Sequence, residues 1–198
     1  MYNKKELENA LKLLGRILEL KKREPVNLFV GGGAALIILE SVSRATKDVD
    51  IVAIGKKGAG EELVLELSKP LPEYLKEAAL QTAHDLKMDK GWLNPGPSDL
   101  FKYGLPAGFM ERTKKIRFSS ALTVYFFGRL DEICFKLYAA ADQGPGKHVD
   151  DLRSLSPSEE EIEKAAKWAL THDPSEGFSR VLKDMLRRLG YEKSAERI

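Results

Sequence analysis

The sequence predicts an α/β (α+β) fold, in which a small mixed sheet with flanking helices precedes a helical C-terminal part. Short apolar runs rich in β-branched and aromatic residues indicate strands at residues 26–30, 49–54, 116–119 and 121–127. Apolar residues spaced three and four apart indicate helices before, between and after these strands. A hydrophobic content of 43% in 198 residues is sufficient for a core. We therefore expect a core over residues 1–128 and a helical part over residues 129–198 packed on it.

The composition gives no strong indication of a nucleic-acid or membrane partner. The chain has 32 basic and 30 acidic residues and a formal net charge of +2, so any such partner would need a local patch of charge. No apolar stretch approaches the roughly 20 residues of a membrane span, and the N-terminus lacks the apolar core of a signal peptide. The one cysteine, Cys134, cannot form an internal disulfide. These features favour a cytoplasmic protein without a membrane partner.

The first predicted elements are an amphipathic helix, a buried strand and a second helix. Leu7, Leu11 and Leu18 recur at helical spacing before Pro25. The strand at 26–30 ends at three consecutive glycines, where the backbone can turn without a Cβ penalty. Helix-forming residues 34–40 follow at once. The N-terminal amides and the dipole of this helix would favour an anion such as a phosphate at the glycine turn.

Two acidic residues open the next predicted strand, Asp48 and Asp50. Residues two apart in a strand project from the same face, so the two carboxylates are expected side by side. Adjacent carboxylates repel each other unless a cation lies between them. Because Mg²⁺ is commonly held by one or two carboxylates together with substrate phosphates, this pair predicts a Mg²⁺ site.

The glycine pair Gly31-Gly32, a helix, and then Asp48-Val49-Asp50 opening an apolar strand together resemble the signature of the nucleotidyltransferase fold of the polymerase-beta superfamily. The longer string over residues 31–52 is similar to small prokaryotic nucleotidyltransferase-like proteins that are related to abortive-infection toxins. The segment Trp92-Leu93-Asn94 also resembles a segment of those proteins. The resemblance implies a sheet of the nucleotidyltransferase type.

The same resemblance implies an activity and assigns roles to residues. The reaction would move a nucleoside monophosphate from a nucleoside triphosphate to an acceptor hydroxyl, with Mg²⁺ as cofactor and with tRNA, a protein or a small molecule as the open alternatives for the acceptor. Asp48 and Asp50 would hold the Mg²⁺. Gly31 and Gly32 would let the backbone approach the triphosphate. The weaker candidates for phosphate contacts are Arg44 and Lys47.

Two other interpretations of this stretch stay open. A dinucleotide-binding βαβ unit also has a glycine turn and an acid roughly twenty residues later, but its third glycine would fall at Leu36, and its acid ends a strand rather than beginning one. In the other interpretation, the glycines form a structural turn and the two acids are solvated residues at a strand start.

The middle of the chain predicts a flexible turn at residues 55–60, helices at 61–69 and 72–88, and a loop over 89–113. His84, in the second of these helices, is more typical of a surface position than of a ligand. For Trp92 we favour packing of the loop onto the core over stacking on a base. Loops of this length in compact domains are often functional.

The last predicted strand lacks a candidate for a third metal-binding carboxylate. Members of the superfamily usually carry a third carboxylate on a strand near the first two, yet residues 122–127 contain no acid. Glu111, Asp131 and Glu132 are nearby in sequence, but nothing in the sequence places them at the metal. The site therefore holds two carboxylates or is degenerate.

A second resemblance lies in the predicted helix at 129–141 and the segment after it. The toxin-related proteins often have a lysine in such a helix and then a basic-Asp-x-x-Asp-Leu stretch. Lys136 matches the first of these features, and Lys147, Asp151 and Leu152 match the second, whereas His148 stands where an acid is usual. Lys136 and Asp151 are therefore candidate catalytic residues. The structural alternatives are an ammonium group in solvent for Lys136 and a helix-start carboxylate for Asp151.

Two more helices are predicted at the C-terminus. Residues 156–159 indicate a capping box with a proline at the first position of a helix over 157–171, and a last helix follows Asp173-Pro174 and ends near Gly190. Two functions of other classes also stay open. They are a non-catalytic nucleotide or RNA binder, and the toxin of a toxin-antitoxin pair, whose partner would be an antitoxin.

Overall fold

The protein is described by a computed structural model that covers residues 1–42, 44–58 and 62–198. The chain divides into two compact units, one made of Met1–Lys102 and Thr113–Phe127, the other of Tyr103–Arg112 and Gly128–Ile198. The first unit contains a six-stranded mixed sheet with helices, and the described elements of the second unit are all helical. The predicted fold class is confirmed.

The first unit has four α-helices and six strands among its described residues. The helices are α1 (Lys4–Leu20), α2 (Gly32–Ile38), α3 (Glu73–Leu86) and α4 (Asp99–Lys102), the last preceded by a 3-10 turn at Gly96–Ser98. The strands are β1 (Val26–Gly31), β2 (Val49–Lys57), β3 (Leu63–Leu67), β4 (Leu93–Asn94), β5 (Lys114–Arg117) and β6 (Leu122–Phe126). The sheet order is β3-β2-β1-β6-β5, with β4 paired to β2.

Strand β1 is central in this sheet because it pairs parallel with β6 and antiparallel with β2. Its side chains are almost all buried, as the apolar run predicted. The predicted amphipathic helix is confirmed as α1, which buries the leucine face. A capping box between Asn3 and Glu6 begins this helix, satisfying amides that have no partner within it. The buried residues of α1 and β1 belong to the same hydrophobic core as Val49 and Ile51 at the start of β2.

The helix predicted over residues 61–69 is wrong, because residues 63–67 form the edge strand β3. Leucine and glutamate favour helices locally, but antiparallel pairing with β2 overrides this preference. A cross-strand ion pair joins Lys56 Nζ to Glu66 Oε2 at 2.6 Å. Val64 and Leu67 remain 53% and 48% exposed on this edge.

The turn predicted at residues 55–60 is also wrong over its first half, since β2 continues to Lys57. The rest of that turn, residues 59 and 60, and the first residue of the wrongly predicted helix lie outside the described residues, as does residue 43. The segment predicted as a loop over 89–113 contains β4, the 3-10 turn and two four-residue helices. Its glycines and prolines limit these elements to a few residues each.

The second unit consists of α5 (Phe109–Arg112), α6 (Arg129–Gln143), α7 (Lys147–Leu155), α8 (Glu159–His172), α9 (Glu176–Arg188) and α10 (Glu192–Arg197). The predicted capping box before α8 is displaced by two residues. Ser158 is the N-cap and shares its box with Glu161, whereas Ser156 ends α7 in the left-handed region with a φ of 48°. The short α10 was not predicted. Among the described residues, no helix has both the length and the apolar character required to cross a membrane.

Candidate functional site

Asp48 and Asp50 come together at a single amide group, that of Asn94. Asp50 is the second residue of β2, and Asp48 lies immediately before this strand rather than on it. The Asn94 Nδ2 donates to Asp50 Oδ1 at 2.8 Å and, over a longer distance of 3.4 Å, to Asp48 Oδ2. Parallel pairing of β4 with β2 sets Asn94 opposite Asp50. The two carboxylates therefore meet at one nitrogen atom.

The glycine turn lies against Asp50. Gly31, the last residue of β1, is paired with Asp50 in the sheet. Gly32 begins α2 with a φ of +71°, in the left-handed region where side chains other than that of glycine are strained. A Cβ on Gly32 would also lie 2.4 Å from Asp50 Oδ2. Backbone conformation and space both require glycine at this position.

Arg44 and Lys47 lie in the segment between α2 and β2, and both side chains are exposed. The Arg44 Nη1 donates to the carbonyl oxygen of Ala45 at 3.1 Å. Its Nη2 is 3.1 Å from the point that a Cβ on Gly33 would occupy, so the guanidinium reaches the first turn of α2. Lys47 adds a second positive charge one residue before Asp48.

Two aromatic residues hold the segments that carry the acids and the amide. The backbone of Tyr2 exchanges two hydrogen bonds with that of Thr46, and the Tyr2 hydroxyl accepts from the amide of Asp89 at 2.8 Å. Trp92 is fully buried and donates from Nε1 to the carbonyl oxygen of Ala79. Its carbonyl oxygen accepts from the amide of Val49 at 2.6 Å. The preferred interpretation of Trp92, packing onto the core, is confirmed.

Asp48 and Asp50 are the described side chains that best fit a divalent cation. Within the described part of the chain, no group of three or more His, Cys, Asp or Glu side chains has metal-binding geometry. A pair suffices for Mg²⁺ when phosphate oxygens and water complete its coordination. The absence of a side chain at Gly32 lets the carboxylate of Asp50 lie directly against the glycine turn. The residues present therefore fit Mg²⁺ held together with a phosphorylated substrate.

Lys136 and Asp151 come together within the second unit. Lys136 Nζ lies 3.0 Å from Asp151 Oδ2, and the two side chains are only 6% and 3% exposed. Lys136 lies on α6 and Asp151 on α7. The interpretation of Lys136 as an amphipathic stem with its charge in solvent is wrong, because the ammonium is buried against this carboxylate. Asp151 is the fifth residue of α7, so it is not the helix-start carboxylate that the alternative described.

Asp131, one of the acids that the sequence left unplaced, has a structural role in the second unit. It caps α6 by accepting from the amide of Gly128 and forms an ion pair with Arg112 Nη2 at 2.5 Å. Burial raises the pKa of Asp131, although the Arg112 guanidinium opposes this change. Cys134 is buried, and this burial raises the pKa of its thiol to about 12.

Asn94 is the site residue that sequence reasoning did not assign. The sequence contained one signal of its importance, namely its position in the Trp92-Leu93-Asn94 segment. Its contact with the two acids depends on the pairing of β4 with β2, between residues more than forty positions apart. A two-residue strand within a segment rich in glycine and proline gives no periodic pattern that would predict such pairing.

Comparison with known proteins identifies the family. A family model described as nucleotidyltransferase of unknown function (DUF6036) matches residues 8–154. The match covers well over half of the chain, including both acids, the glycine turn, Lys136 and Asp151. No curated protein and no solved structure gives a significant match. The chain therefore belongs to this nucleotidyltransferase family.

Proposed function

From the membership of the chain in a nucleotidyltransferase family, we propose that it is a Mg²⁺-dependent enzyme of the polymerase-beta type. It transfers a nucleoside monophosphate from a nucleoside triphosphate to an acceptor hydroxyl. One observation carries the proposal: the carboxylates of Asp48 and Asp50 share the Asn94 amide directly beside the Gly32 turn. Paired carboxylates next to a turn without side chains are suited to a cation and a polyphosphate together.

In this reaction the oxygen of the acceptor hydroxyl attacks the α-phosphorus of the triphosphate. A new phosphorus–oxygen bond forms, the bond between the α-phosphorus and the bridging oxygen breaks, pyrophosphate leaves, and the hydroxyl proton is released. When bound, Mg²⁺ neutralises charge on the phosphates and orients them. Asp48 and Asp50 hold the cation, and Gly31 and Gly32 let the triphosphate approach the backbone.

Positive charges beside the site support binding of a triphosphate. Arg44 reaches the first turn of α2, and Lys47 precedes Asp48. Guanidinium and ammonium groups both bind phosphate oxygens, and the planar guanidinium does so with two parallel hydrogen bonds. We assign both residues to phosphate contacts. Lys136 and Asp151 remain predicted catalytic residues because of the resemblance. The alternative for both side chains is a structural role in the ion pair that they form with each other.

The test is transfer of label from an α-³²P nucleoside triphosphate to total tRNA, to protein and to small hydroxyl compounds, with and without Mg²⁺. We expect metal-dependent transfer to one of these acceptors by the wild type and its loss in Asp50→Asn. Asp85→Asn is the matched control, because it removes a partly exposed carboxylate on α3 that contacts His84 and not the site. Equal transfer by the wild type and Asp50→Asn would reject the catalytic assignment.

A non-catalytic nucleotide or RNA binder is the second candidate. The observation that favours it is that the candidate site has two carboxylates. Among the described residues, no group of three or more metal-binding side chains occurs. Triphosphate binding without turnover in both the wild type and Asp50→Asn would support this alternative. Turnover by the wild type would exclude it.

A further inference from the structure

We propose that Asn94 is the third member of the cation site, a positioning residue that orients the carboxylates of Asp48 and Asp50. The inference rests on the proposed function, because it assigns a role toward the same cation. Its amide bonds to one oxygen each of Asp48 and Asp50 and holds both carboxylates in place. The site thus keeps three residues while carrying two negative charges instead of three.

The orientation of the Asn94 amide follows from its other partner. The backbone amide of Gly96 donates to Asn94 Oδ1 at 2.9 Å, and a backbone N–H can only donate. The Oδ1 must therefore face Gly96, which directs the Nδ2 with its two hydrogens toward the carboxylates. A Cβ on Gly96 would lie 2.9 Å from Asn94 Oδ1, so this tight turn leaves the amide little freedom to move.

The strand that carries Asn94 is also fixed on both sides. The preceding residues are held by the buried Trp92, whose carbonyl oxygen accepts from the amide of Val49 between the two acids. Asn94 itself is paired with Asp50 in the sheet. A donor fixed in this way is in position before a cation arrives, so it adds little ordering cost to binding.

A neutral amide and a cation can act on the same carboxylates. Each carboxylate has two oxygens and can accept about four partners, and Asn94 uses one oxygen of each. Two adjacent carboxylates repel each other, and the shared donor counteracts that repulsion. Removing the amide would let the carboxylates separate, whereas replacing it with a carboxylate would add an attractive charge for the cation.

The experiment measures binding of Mn²⁺ alone, followed by the loss of the spin-resonance signal of the free ion, in the wild type, Asn94→Ala and Asn94→Asp. We expect binding to be about 10–100-fold weaker in Asn94→Ala, the usual cost of losing a group that orients metal ligands. We expect tighter binding in Asn94→Asp, which keeps an oxygen for the Gly96 amide. Asn27→Ala is the control, since it removes a half-buried amide in the same sheet that donates to the Gly55 carbonyl oxygen.

The pattern of opposite changes separates positioning from a structural role, since a general loss of order would weaken binding in both Asn94 variants. Binding by Asn94→Ala equal to or tighter than that of the wild type would overturn the inference alone, provided that Asp50→Asn still abolishes binding. Binding in Asn94→Asp but not in the wild type would overturn the inference, because the wild-type amide would then not support a cation site. Absence of binding in the wild type and in a folded Asn94→Asp would reject the cation site, and with it both the inference and the proposed function.

Discussion

Asp50 has the Gly32 turn on one side and the Asn94 amide on the other, so its replacement changes the charge of the site more than its shape. The proposed function predicts that Asp50→Asn lowers metal-dependent transfer by on the order of 10³-fold or more, because loss of the proposed metal ligand would remove electrostatic stabilisation of the transferring phosphate. The melting temperature is expected to change little. Initial rates with labelled triphosphate and a thermal melt measure the two effects, and a large drop in stability would contradict this assignment.

Gly32 is the second residue whose surroundings predict the effect of a substitution on stability. Gly32→Ala would place a Cβ 2.4 Å from Asp50 Oδ2 at a φ of +71°, so we expect a loss of about 1–3 kcal/mol in the free energy of unfolding. Urea denaturation measures this loss. Gly177→Ala is the matched control, because the nearest atom to its new Cβ is 3.9 Å away. Equal effects of the two substitutions would exclude the steric explanation.

At the level of helices, the Lys136–Asp151 pair joins α6 to α7. Breaking a buried ion pair from one side leaves an uncompensated charge, so we expect Lys136→Met alone to lower the free energy of unfolding by about 3–5 kcal/mol. The double substitution Lys136→Met with Asp151→Leu is expected to recover much of this loss, because both charges are removed. Denaturant unfolding of each variant measures its free energy of unfolding. A double variant as unstable as the single one would show that charge pairing is not the cause.

The contact between α5 and α6 through Arg112 and Asp131 predicts that the destabilisation caused by replacing Arg112 depends on pH. Burial raises the pKa of Asp131 in the folded protein, and Arg112 opposes that rise. A carboxyl group whose pKa is higher in the folded than in the unfolded protein contributes to stability at pH values below its unfolded pKa. This contribution is lost as the pH rises through the pKa of the folded protein. In Arg112→Met the pKa of Asp131 rises further. Chemical denaturation at pH 7 and pH 4 should therefore show a larger destabilisation by this substitution at pH 7, and a larger effect at pH 4 would contradict the prediction.

The sequence predicts the elements of this fold well where the pattern is long and local. The leucine spacing of α1 and the apolar run of β1 each determine their structure within one stretch of chain. Strand β3 was missed because its leucines and glutamates favour a helix and only pairing with β2 makes it a strand. Local preference therefore fails at the edge of the sheet, where tertiary pairing decides.

The same distinction applies to the candidate site. Asp48, Asp50 and the glycine turn lie within twenty residues of one another. Strand spacing predicts that the two carboxylates are side by side, and the resemblance implies that the glycine turn lies near them. Asn94 reaches them only through the two-residue strand β4. The buried pairing of Lys136 with Asp151 needs two helices to pack, and sequence spacing between separate helices does not report that packing.

At the level of the whole chain, the second unit is discontinuous, since it includes Tyr103–Arg112 as well as Gly128–Ile198. The contacts that join these segments include the ion pair of Arg112 with Asp131 and the hydrogen bond from Trp168 Nε1 to the carbonyl oxygen of Gly104. A fragment that begins at residue 129 would lack both. Any dissection of the protein into its units has to keep residues 103–112 with the second one.

Strands β3 and β5, at the two ends of the main strand order, differ in how they resist unwanted association. Strand β5 carries Lys114, Lys115 and Arg117, and positive charges on an edge disfavour pairing with another chain. Strand β3 instead exposes Val64 and Leu67. Concentrated solutions are therefore expected to aggregate through β3, and Val64→Lys to raise the concentration at which light scattering begins. The same onset in the wild type and Val64→Lys would show that aggregation starts elsewhere on the surface.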